Sequence, residues 1–209
     1  MAKEAAKMLG MENMVHDGGN GLTVNNEIVY IEPLDHEKAV AIWQECVQKN
    51  IPYALSLDNT PYRYSHNEDL YEGREDKRSF FNIVVRKDMT PENIGPIYKI
   101  VVGLWKGEEH QLDSISLLGY SRYHDDHIFI EPDDKVKGIK DMVSYLGGSF
   151  EDVVVFGDGH NDLSMIKAAP ISIAMGNAID EVKAAATFVT KRSDDDGIEY
   201  ACKHFGWID

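Results

Sequence analysis

Val153-Val154-Val155-Phe156-Gly157-Asp158-Gly159-His160-Asn161-Asp162 is the stretch that decides the fold. Four consecutive apolar residues read as a strand buried on both faces, the pattern of a parallel sheet covered by helices. The strand runs into a glycine-rich turn carrying two carboxylates and a carboxamide, and a helix is predicted over 161–168. Open α/β sheets collect ligands at the carboxyl ends of their strands, which is where this cluster falls. Asp158 at the strand tip can offer an oxygen to a hard cation such as Mg2+. Asn161 and the helix start can donate to an anion, and Asp162, about one turn on, can brace a neighbour. The plainer reading is that Asp158 and Asp162 only cap the helix. A cap alone does not call for Gly-Asp-Gly-x-Asn-Asp after an apolar strand, so the ligand-site reading is preferred.

Outward from this stretch the pattern is regular. Before it, Ile139, Met142, Val143 and Leu146 share one helical face. After it come a strand over 171–175, a helix over 177–186, a short strand over 187–190 and a helix from Gly197. This βαβαβα order predicts a doubly wound α/β core. The region 34–131 differs, with strands outnumbering helices. Ala39, Ile42, Trp43, Cys46 and Val47 mark a helix over 35–50. Strands are predicted at 51–57, 62–64, 80–85, 98–104, 120–123 and 127–130, with a charged helix or loop at 66–79. A further helix with Leu112, Ile115 and Leu118 inward is expected between the strands at 98–104 and 120–123. Residues 1–33 read as a helix ended by Gly10, a strand at 14–16, and a hairpin of 22–24 and 27–31 around Asn25-Asn26, where Asn tolerates positive φ. The expected organisation is a core of 1–33 and 132–209 with an inserted α+β domain at 34–131.

The 209 residues are 43% apolar and carry a net charge of −15. The apolar fraction suffices for a core. The acidity argues against nucleic-acid or anionic-membrane partners, which need a basic footprint. It leaves a small phosphorylated metabolite open as substrate, because a few cations can build a local positive site. No run is long enough for a membrane helix, and Cys46 and Cys202 make neither a metal pattern nor a disulfide framework, so a reducing cytoplasm is expected.

The stretch Gly157 to Met165, followed by Ile173-Ala174-Met175-Gly176-Asn177-Ala178, resembles the fourth motif of haloacid-dehalogenase (HAD) type phosphatases, most closely the Cof-type branch with a large cap. The resemblance implies a magnesium-dependent hydrolase of sugar phosphates or similar esters acting through an aspartyl-phosphate. It makes Asp158 the metal ligand, with Asn161 contacting phosphate and Asp162 supporting the metal shell. Glu131-Pro132-Asp133-Asp134-Lys135-Val136-Lys137-Gly138 resembles the third motif and makes Lys137 the phosphate-clamping cation, with Lys135 the alternative; a compact ammonium suits the charge of a transferring phosphoryl group. Gly19-Asn20-Gly21-Leu22 resembles the segment before the cap and adds Asn20 to the phosphate contacts, and Asp194-Asp195-Asp196-Gly197-Ile198 resembles the opening of the last helix. Substrate choice in the family is set by cap residues, for which Tyr62, Arg63, Tyr64 and His66 are the candidates.

The family's nucleophile motif, Asp-x-Asp-Gly-Thr at the tip of the first strand, is not found in these residues. Asp194-Asp195-Asp196-Gly197 follows polar residues, Leu57-Asp58-Asn59-Thr60 has Ser56 where the nucleophile belongs, and Asp17-Gly18-Gly19 has the wrong spacing. The resemblance therefore implies an amino-terminally shortened member that begins after the second core strand, inactive alone and with a weak Mg2+ site. The alternative is a non-catalytic relative that binds a phosphorylated ligand or a protein. Two central strands would be missing beside 152–156, so the gap must close by internal pairing, by cover from another segment, or by association with a second copy.

Overall fold

The computed structural model describes residues 2–74 and 81–209. The chain divides into a central unit, Glu32–Pro132, and a flanking unit made of Met1–Ile31 and Asp133–Asp209. The expected strand start at Phe80 and part of the charged stretch at 66–79 lie outside the described residues.

The flanking unit opens with α1 (Ala2–Leu9), then β1 (Met14–His16), β2 (Gly21–Val24) and β3 (Glu27–Ile31) in an antiparallel sheet of order β1-β2-β3. Asn25 and Asn26 both take positive φ, 50° and 64°, as a tight two-residue hairpin turn requires.

In the central unit α2 (His36–Lys49) starts at Asp35, whose carboxylate accepts from the Lys38 amide, and ends at left-handed Asn50. Strands β4 (Tyr53–Ser56), β5 (Arg63–Ser65), β6 (Ile83–Val85), β7 (Lys99–Val102), β8 (Ser121–His124) and β9 (His127–Ile130) form one sheet, ordered β6-β5-β4-β7-β9-β8. Both faces are covered. Ile42, Trp43, Leu55, Ile100, Val102 and Ile128 pack on the α2 side, and Ala54, Leu70, Tyr71, Phe81, Val101 and Phe129 on the other. The helix expected around Leu112, Ile115 and Leu118 is instead two 3-10 turns, Glu109–Gln111 and Asp113–Leu117. Glu45 explains the break: its carboxylate accepts from the amides of Asp113 and Ser114 at 2.8 Å each, tying the segment to α2.

The chain then returns to the flanking unit through α3 (Lys135–Tyr145), β10 (Val154–Gly157), α4 (Leu163–Ala168), β11 (Ile171–Ala174), α5 (Asp180–Ala185), β12 (Phe188–Val189) and α6 (Gly197–His204). The strands form a parallel sheet of order β10-β11-β12, with Val154 beside Ile171 and Ile173 beside Phe188. Each connection carries a helix, as the regular alternation requires. Its core is Val155, Ile166, Ala174 and Val182, with Ile139 of α3 packed against it. Among the described residues β10 pairs only with β11. The internal closure considered for 152–156, direct pairing with 14–16, is absent there: β1 spends its pairing on β2, in antiparallel register.

Candidate active site

The site is built from the tip of β10 and the first turn of α3. Gly157 ends the strand where a side chain could not fit, since a Cβ would lie 2.6 Å from that of Asp162. That closeness lets Asp162 fold back under the turn. Its Oδ2 accepts from the amides of Asp158 (2.9 Å) and Gly159 (3.2 Å), and its Oδ1 accepts from Lys135 Nζ at 2.5 Å. Asp162 is buried. Burial pushes its carboxyl up, but the Lys135 ammonium and the two amides outweigh this and hold it below the usual range.

Asp158 sits exposed at the tip. Its Oδ2 accepts from Asn177 Nδ2 at 3.1 Å, and Asn177 Oδ1 accepts from the Ser193 amide at 2.9 Å. Asn177 thus ties the turn after β11 to Asp158 and to the segment before α6. Its place in Gly176-Asn177 was visible in the sequence; its role as the orienting partner of Asp158 was not. Gly176 is needed for the same approach, since a Cβ there would meet the Arg192 amide at 2.6 Å. Asn161 turns its amide oxygen toward Gly159.

Lys137 does not join this cluster. Its Nζ contacts Asp141 Oδ2 at 3.2 Å and lies 4.7 Å from the centre of the Tyr30 ring, whose hydroxyl donates to the same Asp141 oxygen at 2.5 Å. Residues two apart on a helix face different ways, so only one of Lys135 and Lys137 can reach the turn. The i+4 carboxylate of Asp141 and the face of Tyr30 hold Lys137. The expected convergence of Lys137 with Asp158 and Asn161 is therefore corrected: the ammonium that reaches the turn is that of Lys135. Both lysines begin α3, which the turn Asp17–Gly19 receives closely. Asp134 N donates to Gly18 O at 2.7 Å, and Gly138 stands where a Cβ would meet Val15 Cγ1 at 2.4 Å. Asn20 follows this turn, its amide donating to Asp17 O at 3.1 Å.

The expected pair of metal ligands is also revised. Both oxygens of Asp162 are engaged by the chain itself, which leaves Asp158 as the open carboxylate. Mg2+ wants six oxygens, so this chain's donor set fits the ion only as one ligand of an incomplete shell. Among the described residues no group of three or more His, Cys, Asp or Glu side chains is gathered as a metal cage.

A family model for haloacid dehalogenase-like hydrolases matches residues 1–202. The chain belongs to this family. It is 26% identical over 229 residues to YkrA of Bacillus subtilis (strain 168), which carries the provisional name of a phosphatase, spanning 100% of this chain and 81% of that protein. The crystal structure of a hypothetical protein from Geobacillus kaustophilus HTA426 superposes with a TM-score of 0.81 at 28% identity, covering 99% of this chain and 81% of the other. A sugar phosphatase of HAD subclass IIB superposes with a TM-score of 0.77 at 26% identity, covering 99% and 80%. The fold is accordingly the mixed α/β fold of HAD hydrolases, which carry a cap insertion.

Proposed function

We propose that this HAD-family chain carries the carboxyl-terminal half of a phosphatase site for small phosphorylated metabolites, sugar phosphates or similar esters. The supporting observation is the Lys135–Asp162 ion pair beneath the turn that presents Asp158 and Asn161 at the carboxyl end of β10. In this reading the Lys135 ammonium neutralises phosphate oxygens, and the Asn161 carboxamide donates to them. Asp162 holds the lysine and the turn amides in place, and Asn177 orients Asp158. Asp158 would be this chain's ligand to Mg2+, the ion HAD phosphatases generally use to offset phosphoryl charge. Likeness to a sugar phosphatase supports the substrate class. The acidity of the chain speaks against nucleic-acid and anionic-membrane partners. Two free cysteines fit a cytoplasmic setting.

The sequence contains no Asp-x-Asp-Gly-Thr nucleophile motif, and on this reading the chain alone does not turn over. With Mg2+ and either p-nitrophenyl phosphate or glucose 6-phosphate, purified chain is expected to release phosphate no faster than the Asp158→Ala variant. Steady hydrolysis that stops on Asp158→Ala contradicts this reading. A non-catalytic relative would give the same null turnover. Reading the DNA upstream of the coding region separates the two, since an in-frame strand ending in Asp-x-Asp-Gly-Thr favours the enzyme.

Among the described residues the edge of β10 away from β11 is unpaired, which extends the proposal to a partner: a second copy of the chain pairs there and completes the sheet.

A further inference from the structure

The hairpin of β1 and β2 gathers three side chains that the phosphatase reading does not use. His16 Nδ1 lies 2.6 Å from Asp17 Oδ2, and His16 Nε2 lies 3.1 Å from Thr23 Oγ1. A carboxylate only accepts, so Nδ1 carries the proton and donates to Asp17. Nε2 is left to accept from the Thr23 hydroxyl. The order carboxylate, imidazole, hydroxyl is that of a nucleophile activated by an oriented base.

The local sequence builds this arrangement. The pairing of β1 with β2 sets His16 opposite Gly21 and Met14 opposite Thr23, and opposed residues share a face. Gly21 makes room for the imidazole, since a Cβ there would lie 2.2 Å from Nδ1. The ring lies over Gly21 and reaches Thr23, the next residue on that face. Asp17 holds the ring from a positive φ of 49°, and Gly18 and Gly19 carry the turn on at 65° and 106°. Val15 points to the opposite face, where α3 packs through Gly138. On the Met14 and Thr23 side lies a cavity of about 460 Å3, walled in part by the end of α1, with both residues in its lining. That volume suits a small organic molecule. Met11 and Met14 give the lining an apolar part, and Lys7 and Asn26 bring a cation and a carboxamide. Hydrogen bonds that only pin a turn do not need their hydroxyl in the wall of a cavity.

We propose that Thr23 and His16, positioned by Asp17, form a second catalytic site that hydrolyses small carboxylic esters. Thr23 Oγ bonds to the ester carbonyl carbon as its proton passes to His16 Nε2. The bond from that carbon to the leaving oxygen then breaks, the alcohol departs with the proton, and Thr23 is left acylated. Water attacks the acyl carbon and gives a proton to Nε2; the acid leaves as Thr23 Oγ takes that proton back. Lys7 and Asn26 are the lining groups able to meet the oxyanion formed in each half. The site lies within the flanking unit and stands whether or not the Asp158 turn binds phosphate.

Labelling of the full chain with an alkyl fluorophosphonate tests it, because a nucleophilic hydroxyl displaces fluoride and keeps a stable phosphonyl group. One label is expected, mapped to Thr23 by peptide mass spectrometry, at a rate that saturates with probe concentration. Thr23→Ser should keep the label and Thr23→Val should lose it. His16→Gln should slow it by about a hundredfold or more, the usual contribution of a general base. Asp17→Asn should lower the limiting rate and leave the half-saturating probe concentration unchanged, a split that disruption of the fold would not give. The parent chain should hydrolyse p-nitrophenyl butyrate and the fully labelled chain should not. Mapping on the parent decides the matter if a variant does not fold: no label on Thr23 overturns the proposal. Equal butyrate hydrolysis by labelled and unlabelled chain, or labelling as fast in His16→Gln as in the parent, overturns it too. Failure here leaves the phosphatase reading untouched, because Lys135, Asp158 and Asn161 are outside the readout.

Discussion

The two units differ in how completely each buries itself. Among the described residues the largest fully buried side chains include Trp43, Phe81, Ile42, Leu55, Leu70 and Ile100, all in the central unit; the flanking unit contributes Leu22. The central sheet is six strands wide with both faces packed. The flanking unit has two three-stranded sheets and a parallel core made largely of alanine and valine. The residues with chemistry lie in the less completed unit. Apolar burial scales with area removed from water, so stability is concentrated away from the candidate site.

The largest test of this contrast concerns the open edge. A strand edge left open is a template for pairing, and a second copy seated on Val154 to Gly157 would add backbone hydrogen bonds worth about 0.5–1.5 kcal/mol each net. Sedimentation equilibrium is expected to show a dimer at high concentration. Hydrogen exchange at residues 154–157 should slow by roughly a hundredfold between dilute and concentrated samples, as a gain of a few kcal/mol implies. The central strands should exchange at the same rate throughout. A monomer at every concentration, with protection at 154–157 unchanged, would show that the flanking unit closes itself and that the contrast is only one of side-chain size.

Much of this was legible in the sequence, and the failures have identifiable causes. The apolar run before Gly157 and the regular spacing after it set β10 to β12, because a parallel strand must be apolar throughout. Asn25-Asn26 announced its hairpin, because few residue pairs accept two positive φ values. The family, too, could be named from Gly157 to Asp162. Periodicity failed at 112–118, where spacing suggested a helix but Glu45, nearly seventy residues earlier, captured the backbone amides. It also could not choose between Lys135 and Lys137. Nothing local says that Tyr30 and Asp141 wait for one and Asp162 for the other; that depends on which face of α3 packs on β1, through Gly138.

The choice between the two lysines gives the second test. Lys135→Met leaves the buried Asp162 carboxylate facing its two amides without its cation. Removing one partner of a buried pair costs several kcal/mol when both are fully enclosed. Lys135 keeps 27% of its side chain exposed, which reduces the expected loss to roughly 2 kcal/mol. Lys137→Met breaks a pair more than a third exposed on both sides, and should cost no more than about 0.5 kcal/mol. Urea melts of the two variants, followed by a probe confined to the flanking unit, measure both. Equal losses, or a larger loss for Lys137→Met, would restore the assignment the motif alone suggested.

The smallest effect belongs to the central unit and checks that its stability has a distinct acid limit. Glu45 ties α2 to the turn at 113–117, accepting from two amides, from the Ser114 hydroxyl and from Lys49 Nζ at 2.6 Å. Burial raises its carboxyl, but Lys49, the Ser114 hydroxyl and the amides overcome that and bring it down from 4.5 to about 2. Because the folded value lies below the unfolded one, the stabilisation is present above pH 4.5 and drains away as the pH falls toward about 2. Lys49 remains charged through that interval, so the loss is Glu45's own. Glu45→Gln keeps the shape but not the charge, and should lower the stability of the central unit by about 1 kcal/mol at neutral pH. At about pH 2 and below the variant and the parent should converge. Melts of the central unit recorded at stepped pH decide it: a gap that stays constant from neutral to acid would mean that Glu45 contributes shape alone, and that the turn at 113–117 is held by Leu112 and its apolar neighbours.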